Sequence, residues 1–349
     1  MNYHTRYKEL CQEVPSLAEP LCDVGRNGKE RPWRKYKLAN EYLAMAYDEV
    51  NPKKADRLRV CATTLSYDVD ESGKHRLATS DHCRVRLCPL CSWRRSIKNY
   101  WTARKVTSWI KAHENDANVG KYEYVFITLT VRNVVGADLS AEIDTLYYGV
   151  KKLFQTKEFR AAFHGAIRNL EVTHNLDYTS KDFDTYHPHF HCLVAVRPSY
   201  WKKSYITQGQ LTELWRAALG VDYKPRVHIE KVYGRTLDEK VGRPIEDGET
   251  PIAHAVAESV KYGCKPGDYI LPDDWDLSVD AVRVLDQALA NRRLINYSGI
   301  FREVKALLNL EDPEDGDLTH VDGDELILNG KTHRVYYKWY SGYRQYYKV

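Results

Sequence analysis

With 349 residues, 29% of them charged and 43% apolar, the chain is long enough for a sizeable core and roughly two domains. A net charge of +4 permits nucleic-acid binding without requiring it. No apolar run reaches membrane-spanning length and the N-terminus lacks a charged-then-apolar signal, so a soluble cytoplasmic protein with no membrane partner is expected. In that reducing compartment the eight cysteines are better explained by metal than by disulfides. Most aromatics carry a polar handle, with 26 Tyr and 8 Trp against 7 Phe.

Residues 1–57 read as helical, with a helix around Tyr36 to Glu49 carrying Leu38, Tyr42, Leu43, Ala46 and Tyr47 at helical spacing. Cys11 and Cys22 are taken as packing residues, and no chemistry is expected here. From Cys61 an alternating segment leads through a Ser72-Gly73 turn and a second short strand to Cys83, Cys88, Pro89, Leu90 and Cys91. The C-x2-C pair Cys88 and Cys91 suits a tetrahedral zinc, with Cys83 as third ligand and Cys61 as the natural fourth, although His82 or His75 would also serve. Four filled ligand positions make such a zinc structural. A basic helix follows, with Trp93, Arg94, Arg95, Lys98, Trp101 and Arg104. A solvated charged face explains each residue singly, and contact with phosphate explains the group as well.

Residues 122–133 form a strand with Val125, Ile127 and Leu129 on one face and Phe126, Thr128 and Thr130 on the other. A helix is predicted from Leu139 to about Glu158, then a strand over 166–174 and a polar loop from Asn175 to Tyr186. Next comes the run His187-Pro188-His189-Phe190-His191, which continues apolar through Val196. Alternation puts the three histidines in one row and Phe190 in the other layer, a half-site for a divalent cation. Across the antiparallel pair Glu171 can lie beside His189 or His191 as a third ligand; a surface-facing Glu is the plain alternative. A helix (Gln210–Leu219) and a strand (Arg226–Tyr233) complete a strand–helix–strand–strand–helix–strand order. That order suggests an open, mainly antiparallel sheet with helices on one face.

After a loop from Gly234 to Thr250, the stretch Ile252 to Lys265 reads as a helix with His254, Glu258 and Tyr262 on one face, Lys261 and Lys265 alongside, and an end at Gly263 and Pro266-Gly267. Alone, this is an ordinary amphipathic helix. Residues 280–309 are predicted helical, interrupted at Asn296–Gly299. The tail reads as a hairpin about Asn329-Gly330 crowded with tyrosines, for which base stacking and strand packing are equal accounts.

Taken together, Cys88-Pro89-x-Cys91 before Trp93-Arg94-Arg95, the strand Phe126–Thr130, Leu170-Glu171-Val172-Thr173 before His187–His191, and Glu258 with Lys261-Tyr262-x-x-Lys265 resemble one family: the rolling-circle plasmid replication initiators (Rep) of the HUH endonuclease superfamily. The resemblance spans roughly residues 60–305. His174 departs from it, standing where an aromatic is expected.

The resemblance implies an α+β fold: an HUH-type open antiparallel sheet with helices, a ferredoxin- or RRM-like core, preceded by a small zinc-binding module. The corresponding segments are 1–57 (helical), 58–120 (zinc module and basic helix), 121–270 (nuclease) and 271–349 (C-terminal helices and aromatic hairpin). It implies a metal-dependent strand transferase that nicks origin DNA, single-stranded at the nick, through a 5′-phosphotyrosine at Tyr262, with Glu258 as helper. Mg2+ or Mn2+ would sit on Glu171, His189 and His191, His187 being left out because the family's pair follows the proline. Zn2+ would sit on Cys61, Cys83, Cys88 and Cys91. Arg94, Arg95, Thr128, Thr130, Lys261 and Lys265 are the DNA-binding candidates, and a host helicase and polymerase the implied partners. An HUH transposase or relaxase would share the chemistry but often carries paired tyrosines or a helicase, neither evident here. A zinc-dependent DNA-binding regulator without nuclease activity is the reading from another class.

Overall fold

The computed structural model describes residues 19–25, 28–232, 251–260, 263–321 and 327–349, with 251–254 described by backbone alone. In chain order its elements are α1 (Trp33–Val50), α2 (Pro52–Val60), β1 (Thr64–Asp70), β2 (His75–Ser80), α3 (Pro89–Ala112), β3 (Glu123–Thr130), α4 (Leu139–Leu153), α5 (Lys157–Ala162), β4 (Phe163–Asn175) and β5 (Thr185–Val196). Then follow α6 (Tyr200–Lys203), α7 (Gln208–Leu219), β6 (Val227–Lys231), α8 (Pro251–Ser259), α9 (Trp275–Ala288), β7 (Ile295–Gly299), α10 (Ile300–Leu307), β8 (Thr332–Tyr340) and β9 (Gln345–Lys348). The fold is mixed α and β with antiparallel sheets. No helix among the described residues is long and apolar enough to cross a membrane.

The chain forms two compact units. One gathers Met1–Lys98, Ile270–Val282 and Asp315–Val349; the other comprises Asn99–Tyr269 and Arg283–Glu314. In the first, the sheet order is β2-β1-β8-β9, so the C-terminal strands pair with the hairpin that lies between the cysteines. Among the described residues the tail's hairpin turns at Ser341–Arg344, and Asn329-Gly330 precedes its first strand. Buried Val335, Tyr337 and Trp339 alternate with exposed neighbours, which carries the strand on to Tyr340. Asn51 starts α2, accepting from the Lys54 amide ahead of Pro52.

In the second unit the sheet order is β6-β3-β5-β4-β7 with every neighbour antiparallel. The interruption at Asn296–Gly299 is therefore a strand, β7, on the outer edge beside β4. The helix expected to run to Glu158 breaks after Leu153, and Thr156 caps a new one by accepting from the Phe159 amide. Helices cover both faces, not one. Ala103, Val106 and Ile110 of α3, Ala255 and Val256 of α8, Val260, and Phe301 and Val304 of α10 pack on the face of Tyr124, Ile167, Leu193 and Ala195. On the other face Tyr147 of α4 meets Phe190 edge-on at 5.2 Å, and Gly149 lets α4 approach Trp215 and Leu219 of α7. The reason is local: β3 and β5 are apolar on both faces, and such strands must be covered twice.

Candidate metal centres and active site

The registers of the three central strands bring the first site together. Glu171 of β4 lies opposite His189 of β5, and Thr128 of β3 lies opposite His191. His189 Nε2 and His191 Nε2 stand 3.2 Å apart, and Glu171 Oε2 lies 3.2 Å from His191 Nε2 and 3.6 Å from His189 Nε2. Each ring is oriented through its other nitrogen, His189 Nδ1 at 3.1 Å from the His187 carbonyl and His191 Nδ1 at 3.2 Å from Thr128 Oγ1. Both Nε2 atoms thereby face Glu171, and orientation through the second ring nitrogen is usual for metal-binding imidazoles. Ligand atoms about 2.1 Å from an ion stand about 3.0 Å apart when cis in an octahedron and about 3.4 Å apart in a tetrahedron, so this triangle closes around a divalent cation. Burial alone would raise the Glu171 carboxyl, but bonds to His189 and His191 outweigh it and hold it well below the ordinary carboxylate range. His187 contributes its carbonyl and a ring stacked 5.2 Å from His189, so its part is orientation.

The segment after residue 262 docks on this strand. The Val172 amide donates to the Gly263 carbonyl at 2.8 Å, and a Cβ on Gly263 would stand 2.6 Å from Leu294 Cδ1, so a larger residue there would have to move the end of that side chain. Lys265 reaches Glu171 Oε1 at 3.6 Å, its amide donating to Asp268 Oδ2 at 2.7 Å. His174 holds that turn: Nδ1 bonds the Asp268 carbonyl at 2.9 Å, Nε2 faces Asp184 Oδ1 at 2.8 Å, and the ring stacks 4.2 Å from Tyr186. The residue that departs from the expected aromatic is thus held by one ring stack and two polar anchors. Helix α8 ends at Ser259, short of the expected Lys265, with Glu258 half-buried in it; Lys261 and Tyr262 lie outside the described residues.

The second group is Cys61, Cys83, Cys88 and Cys91, all buried, with one sulfur from each within 4.8 Å of the others. Cys61 Sγ is 3.7 Å from both Cys88 and Cys91, and Cys83 Sγ is 3.8 Å from Cys91. Sulfurs about 2.3 Å from a tetrahedral zinc stand about 3.8 Å apart, so the donor set fits that ion. His82 approaches Cys91 only at 3.9 Å and bonds Ser80 Oγ at 2.7 Å, and His75 sits on β2 opposite Val69, so the fourth position belongs to Cys61. Amides of Cys83, Arg84 and Cys91 point at sulfurs of Cys61, Cys91 and Cys88.

Two supporting residues come from the stretch where no chemistry was expected. Lys37 is buried and donates to the carbonyls of Cys61 at 2.6 Å and Arg59 at 3.0 Å. Asn40 donates to the Leu58 carbonyl, with its Oδ1 3.2 Å from Cys88 Sγ. Their signal was a Lys and an Asn on the apolar stripe of α1, among Leu43, Ala44 and Tyr47. Cys22, expected to pack, is exposed, and Cys11 lies outside the described residues.

The DNA-binding candidates divide. Arg94 and Arg95 are buried: Arg94 bonds the carbonyls of Leu318 and Thr319 and lies over Trp33 and Trp93, and Arg95 bonds the Arg84 carbonyl. Their guanidinium groups tie down chain inside the first unit, because carbonyls without partners would be costly there. Thr128 orients His191, and Thr130 donates to the Arg226 carbonyl at 2.8 Å. Lys265 is more than half exposed beside Glu171.

A carboxyl held below its ordinary value stabilises the folded chain while ionised. That contribution is present above the unfolded value, about 4.3, and is lost as the pH falls from there toward the native value. Without added Mg2+ or Mn2+, the wild type is therefore expected to lose stability more steeply on the acid side than Glu171→Gln. Urea unfolding from about pH 7 down to pH 3 reads the difference, and parallel acid limbs would contradict it.

A family profile described as replication protein matches residues 74–347. A protein rep of Bacillus amyloliquefaciens is 37% identical, the match covering 93% of this chain and 96% of the relative. One of Lentilactobacillus hilgardii is 36% identical over 91% and 95% of the two chains, and one of a Bacillus species is 39% identical over 77% and 85%. No solved structure matches the chain. Coverage of nearly the whole length on both sides includes both cysteine and histidine sites, and on that ground the chain belongs to the Rep family of replication proteins, the plasmid replication initiators.

Proposed function

We propose that this protein initiates rolling-circle plasmid replication as an HUH endonuclease, nicking one strand at the double-strand origin through Tyr262 and rejoining or releasing it at termination. The observation that carries the reading is the convergence of Glu171, His189 and His191 on adjacent strands of a replication-protein chain. The order β6-β3-β5-β4, with α4 and α7 in the two crossovers, is that of a ferredoxin-like core and supports the HUH assignment.

Bound to Glu171, His189 and His191, Mg2+ or Mn2+ would supply Lewis-acid polarisation of the scissile phosphate. The Tyr262 oxygen forms the new bond to phosphorus while the bond to O3′ breaks, leaving a 5′-phosphotyrosine and a 3′ hydroxyl for a host polymerase behind a host helicase. Lys265, beside Glu171, offers its ammonium to the phosphoryl oxygens. Glu258, four residues before Tyr262, acts at termination as general base on water, because an esterified tyrosine cannot attack again. The described residues that flank this stretch are anchored, Val260 in the sheet-face core and Gly263 by the Val172 amide of β4. Zn2+ on the four cysteines would hold the first unit together. Four thiolates around a divalent cation would leave negative charge, beside which Lys37 donates to the Cys61 and Arg59 carbonyls; burial outweighs the pull of Cys61 and sets the Lys37 pKa below the ordinary lysine value.

With a labelled single-stranded oligonucleotide carrying the origin and Mn2+ or Mg2+, the wild type is expected to form a covalent adduct that Tyr262→Phe abolishes. Tight binding without an adduct, with either metal, would favour the regulator. Glu258→Ala should still nick but fail to release unit-length circles; normal termination by this variant would remove the role given to Glu258. Metal analysis of the purified protein should find one zinc per chain, and Cys88→Ser should lose it with a lowered Tm. Retained zinc would contradict the four-cysteine site.

A further inference from the structure

The four-stranded sheet of the first unit has an outer face that neither metal group uses. Along β8 the buried Val335, Tyr337 and Trp339 point inward, while Arg334, Tyr336 and Lys338 alternate with them and are exposed. Tyr336 lies opposite Ser66, Arg334 opposite Asp68, and Lys338 between Thr64 and Tyr347. Tyr336 is 48% and Tyr343 46% exposed. Tyr340 and Tyr343 stand 6.0 and 6.2 Å from Tyr347, and Lys338 Nζ lies 5.9 Å from the Tyr340 ring centre.

The charge on this face is positive. Arg76 and Arg334 share the one carboxylate of Asp68, at 3.6 and 2.8 Å, and Lys338 adds a further cation. Asp70, on the same side of β1, is turned into the β1–β2 turn, where it accepts from the Ser72 and Lys74 amides. The sequence left base stacking and strand packing equal for these tyrosines. The structure divides them: Tyr337 and Tyr346 pack, and Tyr336, Tyr340, Tyr343 and Tyr347 do not share their depth.

Tyrosine rings interleaved with Arg334 and Lys338 complement a chain that offers both phosphates and aromatic bases. Their faces are useful to unpaired bases and inaccessible to bases stacked in a duplex. We propose that this sheet face is a second DNA site: it binds single-stranded DNA with little sequence preference, the tyrosines stacking on bases and Lys338 and Arg334 meeting phosphates. This goes beyond the nicking reading, and the site lies on the unit that does not carry Glu171, His189 and His191.

The test uses the full-length protein without added Mg2+ or Mn2+ and a fluorescent oligo(dT) of about twenty nucleotides, enough to span one such site. Tyr336→Ala with Tyr340→Ala is expected to weaken binding about tenfold or more, and Tyr336→Phe with Tyr340→Phe to leave it near wild type, since the ring does the stacking. Affinity unchanged in the alanine pair, or lost equally in the phenylalanine pair, would overturn the proposal. Cross-linking of wild type to 5-iodouracil-substituted DNA needs no variant: adducts mapped to these four tyrosines support the site, and adducts confined to other residues refute it. Loss of the Tyr262 adduct with these cross-links intact would fell the nicking reading alone.

Discussion

The register of β5 between β3 and β4 is the constraint on which the first metal group depends. Side chains alternate along a strand, so a slip of one residue would exchange His189 and His191 for Phe190 and Cys192. The apolar half of the same strand resists that slip. Phe190, Cys192, Val194 and Val196 are buried against one layer of helices, Leu193 and Ala195 against the other. Packing far from the imidazoles thus fixes where they stand. It also fixes Glu171, whose burial would be costly without two imidazoles beside it.

The two candidate metal groups differ in ligand chemistry. Four sulfurs close a tetrahedron and leave no position for a substrate, which suits a brace. Two nitrogens and one carboxylate leave positions open, which suits an oxygen-rich substrate. The cysteine group draws on distant parts of the chain: the Tyr346 hydroxyl donates to the Ala62 carbonyl at 2.7 Å and the Trp339 amide to the Thr63 carbonyl at 2.8 Å, both in the turn after Cys61. The C-terminal strands therefore support the cysteines nearly three hundred residues earlier in sequence.

Much of this was legible in the sequence, for physical reasons that also mark where reading stopped. The histidine row and Glu171 follow from the period of a strand and a hairpin with a wide loop, and Cys61 from the need for a fourth ligand. Strand β7 was not legible, because Asn296 and Ser298 make a short polar edge strand resemble a break in a helix. Asn329-Gly330 carries the residues of a hairpin turn, yet the strand pairing is set by Val335, Tyr337 and Trp339 against β1, a long-range contact that no local signal encodes. Lys37 and Asn40 were passed over for the same reason: their partners, Cys61 and Leu58, meet them only through the packing of α1 on α2. Arg94 and Arg95 looked like phosphate contacts by composition, and only the tertiary fold turns them inward.

On the proposed reading, Glu171, His189 and His191 hold one divalent cation. Crystals grown with Mn2+ and measured at the manganese absorption edge test it most directly. A single anomalous peak is expected within about 2.3 Å of Glu171 Oε2, His189 Nε2 and His191 Nε2. Crystals that bind Mn2+ elsewhere and show no peak among these three atoms would contradict it.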